Sequence, residues 1–233
     1  MAEKKTPVMA DVRAQMADIF KDIPVDAEKT VEYMGQYRML MTYYRCAMKE
    51  IVTQFEVLDE EFSLGNDRDI ISSVQSRLKS GRSIHDKLKR RGIPVTIENI
   101  ENQLSDIAGI RVICPFLEDV YYLERALLAQ DDIQLIERKN YIDNPKSNGY
   151  RSLHLIVAVP IFLSQGKRIM KVEVQIRTIA MDSWASLEHQ LRYKKDFVFT
   201  QAMEDELQRC ADLSNELDIR MDALRRILLA EEN

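Results

Sequence analysis

Seven glycines and six prolines in 233 residues leave this chain few places at which to stop an element. Gly and Pro are the strongest local punctuation a sequence carries, so their scarcity favours long helices over many short strands. Residues 8–20 read as a short helix, broken at Pro24. From residue 30 to 55, Val31, Met34, Tyr37, Met41, Tyr44, Met48, Ile51 and Phe55 fall at three- and four-residue steps, a helical stripe. Gly65 and Asn66 mark a turn. A second helix is expected over 69–91, with Ile71, Val74, Leu78, Ile84 and Leu88 on its apolar side and Gly92 and Pro94 ending it.

The middle of the chain changes period. Residues 110–114, 133–137, 153–162 and 169–178 read as strands. The last is the clearest, because Val172, Val174 and Ile176 alternate with Glu173, Gln175 and Arg177. A crossover helix over 118–129 separates the first two strands, and another helix over 179–193 follows the fourth. The tail, 202–230, carries Met203, Leu207, Cys210, Leu217, Met221, Leu224 and Leu228 as a heptad-like seam interrupted by Ser214. Such a helix either packs on its own domain or joins subunits. The expected class is α+β, a mixed sheet of four to five strands flanked by helices, with no internal repeat. The expected divisions are an extension at 1–29, a domain at 30–200 and an oligomerising helix at 201–233.

Charge narrows the partners. A net −5 argues against a protein that coats DNA or RNA. Yet residues 77–91 hold seven bases (Arg77, Lys79, Arg82, Lys87, Lys89, Arg90, Arg91) and one acid, Asp86, a local +6 that leaves −11 on the rest. A solvated helix face usually mixes signs, so this one-signed run asks for a compact polyanion such as a triphosphate. Lys79, Ser83, Lys87 and Arg90 would share one side of the expected helix. No apolar run approaches the ~20 residues that span a bilayer. The N-terminus lacks the apolar stretch of a secretory signal, and three scattered cysteines, Cys46, Cys114 and Cys210, fit a reducing cytoplasm rather than a disulfide framework or zinc site.

Three further groups carry chemistry. Asp106-Ile-Ala-Gly109-Ile-Arg111 puts an acid at the end of a strand, where sites collect. Glu173, Gln175 and Arg177 share one sheet face by period two. Three polar residues on a strand often only face water. If Glu173 and Asp106 come from neighbouring strands, however, they suit Mg²⁺, which takes one or two carboxylates plus phosphate oxygens and water. The segment from Lys139 to His154 surrounds an Asn148-Gly149 turn with Lys146, Tyr150 and Arg151. Either Tyr150 packs over its own turn, or it stacks on a purine while Lys139, Lys146 and His154 reach phosphates. There is no GxxxxGK[ST] or GxGxxG loop, so side chains must hold any nucleotide. His85-Asp86 lacks the further histidines of a metal phosphohydrolase.

Taken jointly, Arg77-x-Lys79, Lys87-x-x-Arg90-Arg91, Asp106-Ile-Ala-Gly-Ile-Arg111, Lys146-x-x-Gly-Tyr150-Arg-Ser-Leu-His154, Glu173-x-Gln175-Ile-Arg177-Thr and Met181-x-x-Trp184-Ala-x-x-Glu188-His189 resemble the RelA/SpoT superfamily. Within it the chain is similar to the small alarmone synthetases, GTP pyrophosphokinases with a nucleotidyltransferase-like domain, and most of all to the RelP type. The likeness implies transfer of the β,γ-pyrophosphate of ATP to the ribose 3′-hydroxyl of GTP or GDP, with GMP open, giving pppGpp or ppGpp and AMP in the stringent response. It implies that Arg77 and Arg111 sandwich adenine, and that Lys79, Ser83, Lys87 and Arg90 hold the ATP phosphates. Asp106 and Glu173 would bind Mg²⁺, with Glu173 also taking the 3′-hydroxyl proton. Tyr150 would stack on guanine, with Lys139, Lys146, Asn148, His154 and Gln175 along the acceptor. The likeness also implies a cytoplasmic homotetramer with neither a hydrolase nor a ribosome-sensing domain. Ser73, Gln75 and Asp182, which align with a regulatory cleft of the RelQ branch, differ from its pattern, so strong activation by product is not expected.

Two other readings stand beside this one. Pyrophosphate transfer to the 3′ end of tRNA would need a basic RNA path and a degraded guanine loop. A catalytically silent binding module would tolerate loss of Asp106 or Glu173, and both are present.

Overall fold

The computed structural model describes residues 27–66, 68–192 and 199–231. The short helix expected over 8–20 lies outside them. Helix α1 (Ala27–Gly65) runs for 39 residues and ends at Gly65. Its Tyr37, Met41, Tyr44, Met48, Ile51 and Phe55 are buried, at the spacing the stripe predicts, whereas Met34 is half-buried and Val31, at the stripe's start, is exposed. They lie on the sheet beside helix α4 (Leu117–Leu128), which buries Val120, Leu123 and Leu127.

The sheet has five strands: β1 (Ser73–Leu78), β2 (Ala108–Cys114), β3 (Gln134–Asn140), β4 (Leu153–Leu163) and β5 (Gly166–Thr178), in the order β1-β2-β5-β4-β3. Only the β2–β5 pair is parallel. Val172, Val174 and Ile176 of β5 are fully buried on the face that α1 and α4 cover. Strands β4 and β5 meet in a tight hairpin, Leu163 opposite Gly166, with Gly166 at φ 125°. Such a turn suits glycine, which alone occupies that region without strain.

The expected helix over 69–91 is corrected. Its first half is strand β1, paired antiparallel along β2 from Ser73↔Ile113 to Leu78↔Ala108. Val74 and Leu78 are four apart, a spacing that fits one helical turn and equally the even positions of a strand. The unpaired edge of β2 decides for the strand, because it supplies backbone partners over six residues. Ser80 then starts helix α2 (Gly81–Arg90) by accepting from the Ser83 amide at 3.3 Å. Lys79 thus lies in the corner between strand and helix. Helix α3 (Ile97–Gln103), capped by Thr96, was not foreseen.

Helices α5 (Ile179–Arg192) and α6 (Gln201–Glu231) follow the sheet. Helix α6 turns Leu207, Ala211, Asp218 and Asp222 inward, and leaves Leu217, Met221, Leu224 and Leu228 of the expected seam exposed. The Trp184 indole donates to the Leu207 carbonyl at 3.1 Å, and the Thr178 hydroxyl to Asp218 at 2.6 Å. No described helix is long and apolar enough to cross a membrane.

Candidate active site

The face of the sheet away from α1 carries the site, and strand register assembles it. Gln75 pairs with Arg111, Arg111 with Gln175, Gln175 with His154, and His154 with Lys139. Residues opposite one another across strands project to the same side. One row therefore crosses all five strands. In the next row Arg77 is opposite Gly109, and Gly109 is opposite Glu173.

A cavity of about 650 Å³ opens on this face, lined by Arg77, Lys79, Ser83, Asp106, Arg111, Glu173 and Gln175 among others. Lys87 joins through Asp106, since Lys79 Nζ and Lys87 Nζ both donate to Asp106 Oδ2, at 2.8 and 2.7 Å. Burial alone would raise the Asp106 carboxyl, but these two ammonium groups outweigh it and hold it below its usual value. Glu173 follows the same logic. Burial opposes its charge, while His154 and Gln175 bond the carboxylate and keep its pKa low. Arg90, at the exposed last turn of α2, is not among the lining residues.

Asp106 Oδ1 is buried without a hydrogen-bond partner, an orphan that a divalent cation would satisfy. Among the described residues no group of three or more His, Cys, Asp or Glu side chains converges as a metal cage. A lone carboxylate pair fits Mg²⁺, which draws its remaining ligands from phosphate and water, better than zinc. His85 is buried, 3.4 Å from Asp86, inside α2.

Beside the cavity, the 141–152 loop folds over β4. Gly149 takes φ 85°, and a Cβ there would come within 2.5 Å of Ala211 Cβ on α6, so only glycine fits. Lys146 Nζ lies 4.7 Å from the centre of the Tyr150 ring and 4.6 Å from that of Tyr141. The Tyr150 hydroxyl meets His154 Nε2 at 2.9 Å, and His154 Nδ1 meets Glu173 at 3.4 Å. Lys139 pairs with Glu137 at 2.8 Å. Asn148 is held by the protein itself, its Oδ1 accepting from the Tyr150 amide at 3.2 Å and its Nδ2 donating to Glu188 of α5 at 3.3 Å.

Two residues named in the sequence hold places in the site that the sequence reading does not give them. Arg177, placed on the right face but given no role, is 5% exposed. It donates to the Tyr150 hydroxyl at 2.6 Å, to Gln175 at 2.9 Å and to Asp182 at 3.1 Å. Asp182, in the first turn of α5, also lies 3.4 Å from Arg111. The signal for their pairing is the acid five residues beyond a strand-end arginine.

The family model for the region found in RelA / SpoT proteins matches residues 76–197, from within β1 to beyond α5. GTP pyrophosphokinase YwaC of Bacillus subtilis is 38% identical over 202 residues, 87% of this chain and 95% of that protein. GTP pyrophosphokinase YjbM of the same organism is 33% identical over 190 residues, 82% of this chain and 89% of that one. The crystal structure of small alarmone synthetase 1 from Bacillus subtilis, bound to its product pppGpp, is similar at a TM-score of 0.74 and 33% identity, covering 82% of this chain and 96% of that one.

Proposed function

The chain belongs to the RelA/SpoT family as a GTP pyrophosphokinase of the alarmone-synthetase kind, and from that premise we propose that it moves the β,γ-pyrophosphate of ATP onto the ribose 3′-hydroxyl of GTP or GDP. The row from Gln75 to Lys139 carries this reading, because it sets a cation-lined cavity and an aromatic loop side by side on one rigid sheet. ATP takes the cavity, with Arg77 and Arg111 at the base and Lys79, Ser83 and Lys87 at the phosphates. The guanosine nucleotide takes the loop side, with Tyr150 beneath the base and Lys139, Lys146 and His154 along its phosphates and ribose.

The reaction forms one bond, from the 3′-oxygen to Pβ, and breaks the bridge from Pα to Pβ. The hydroxyl proton passes to Glu173 and AMP leaves with the bridging oxygen. Little covalent work falls to the protein, so most of the acceleration comes from alignment and charge neutralisation. Glu173 suits its part because His154 and Gln175 already orient its carboxylate. Lys79 and Lys87 can exchange their shared carboxylate for phosphate oxygens at little electrostatic cost. Asp106 and Glu173 would hold Mg²⁺, which when bound neutralises the triphosphate and favours a forming alkoxide. The exposed seam of α6 supports assembly into a homotetramer.

The deciding experiment supplies β-³²P-labelled ATP and Mg²⁺ with either GTP or deacylated tRNA. We expect label in a guanosine polyphosphate, with unlabelled AMP released beside it, in the first mixture only. Label in tRNA would transfer the reading to a tRNA pyrophosphotransferase, and no AMP in either mixture would leave a binding module.

A further inference from the structure

Resting on that reading, we infer that Arg177 and Asp182 are positioning residues that couple the two substrate sites, so that filling the ATP cavity tightens the hold on the guanosine nucleotide. The connection is continuous. Arg111 lines the cavity and lies 3.4 Å from Asp182 Oδ1. The same oxygen accepts from Arg177 Nη1 at 3.1 Å. Arg177 Nη2 donates to the Tyr150 hydroxyl at 2.6 Å. That hydroxyl reaches His154 Nε2 at 2.9 Å, and His154 Nδ1 reaches Glu173 at 3.4 Å. One set of donors satisfies every link: Arg177 donates to Tyr150, Tyr150 donates to Nε2, and the Nδ1 proton faces the carboxylate. Gln175 closes the chain from below, accepting from Arg177 and donating to Glu173.

Its chemistry makes this chain a coupler. Arg111 and Arg177 are like charges facing one carboxylate, and Asp182 offsets the repulsion between them. Arg177 is buried and gripped on three sides, whereas Arg111 keeps 37% of its side chain exposed at the cavity wall. The outer arginine is thus the loose end. A base stacked on Arg111 fixes that guanidinium, and with it the position of Asp182. Asp182 then fixes the buried arginine, and the arginine fixes the plane and hydroxyl of Tyr150, whose ring Arg177 also overlies at 5.0 Å. Ordering paid for by the first ligand need not be repeated by the second, which is positive cooperativity without a large movement.

The test is GTP titration of the full chain by calorimetry, with and without α,β-methylene-ATP, whose carbon bridge blocks transfer. The analogue should tighten GTP binding by about fivefold or more, the lower end of the range for coupled sites. In Asp182→Asn and Asp182→Ala this factor should vanish, while affinity for the analogue alone stays within about threefold. Linkage demands the reciprocal result when GTP is added first. A wild-type chain without the factor, or variants that keep it, would overturn the inference. So would loss of analogue binding itself, which would make Asp182 part of the ATP site. If the unaltered chain forms guanosine polyphosphate yet the factor ignores Asp182, the coupling alone is wrong; if it forms none, the functional reading falls first.

Discussion

At Glu173 burial and hydrogen bonding pull in opposite directions, and the bonds win. A base so placed stays ionised through neutral pH and points where its two partners hold it. Its part in proton transfer predicts that Glu173→Gln lowers kcat by about 10²–10⁴, the usual worth of a positioned base. Affinity for α,β-methylene-ATP should stay within roughly threefold, since the neutral amide keeps the shape. Rates of AMP release beside analogue titrations check this, and normal turnover would remove Glu173 from the chemistry. Residues of this kind were legible because they stand in dense motifs at strand ends. Arg177 was not. Alternation along β5 gives the side a residue faces but not its depth, and α5, which supplies Asp182, buries that side chain near the strand's end.

Helix α6 shows the same limit one level up. Its existence and length were plain from the sequence, yet of the apolar seam Leu207 packs inward while Leu217, Met221, Leu224 and Leu228 stay exposed. Leu207 and Ala211 dock its first half, while Asp218, Asp222 and Arg225 dock its second, Arg225 lying 3.4 Å from Asp119 and Asp218 accepting from Thr178. Burial pushes the Asp218 carboxyl up to about 6, the Thr178 bond opposes it, and Asp222 adds to it. A folded-state pKa above the usual carboxylate range favours the protonated form. The stabilising contribution is therefore complete below about pH 4 and lost as pH rises through about 6. Asp218→Asn, neutral throughout, should melt several degrees higher than the native chain near pH 7.5, on the order of 2 kcal/mol, with the gain shrinking toward about pH 5. Thermal melts across that window check the sign; a variant less stable near neutrality would mean that something else holds the ionised carboxylate. Strand β1 was misread for a related reason. Periodicity over six residues cannot choose between helix and strand without knowing that the edge of β2 lies beside it.

On the scale of the whole molecule, charge and oil are sorted into different places. The cations of residues 77–91 are split between a strand, a corner and a helix, and Arg77, Lys79 and Lys87 still meet around one cavity and its carboxylate. The apolar side chains of Leu217, Leu224 and Leu228 are left outside, each more than half exposed. A row of that kind on one long helix fits a second copy of itself. The proposed homotetramer predicts that replacing Leu217 and Leu224 together by Glu gives smaller species by light scattering, with the melting curve of the domain nearly unchanged. Identical masses for the two forms would overturn the role given to this row.

The hairpin between β4 and β5 has one more consequence. Gln175 stands beside His154 because both are counted back from the same turn, Leu163 to Gly166. A longer loop could absorb a residue inserted at the bend itself, but one inserted within either strand, along the roughly 23 Å between Gly166 and Glu173, would turn that strand's polar row into the oil. The stretch of strand between the bend and the site thus acts as a ruler, and the chemistry is only as accurate as that measurement.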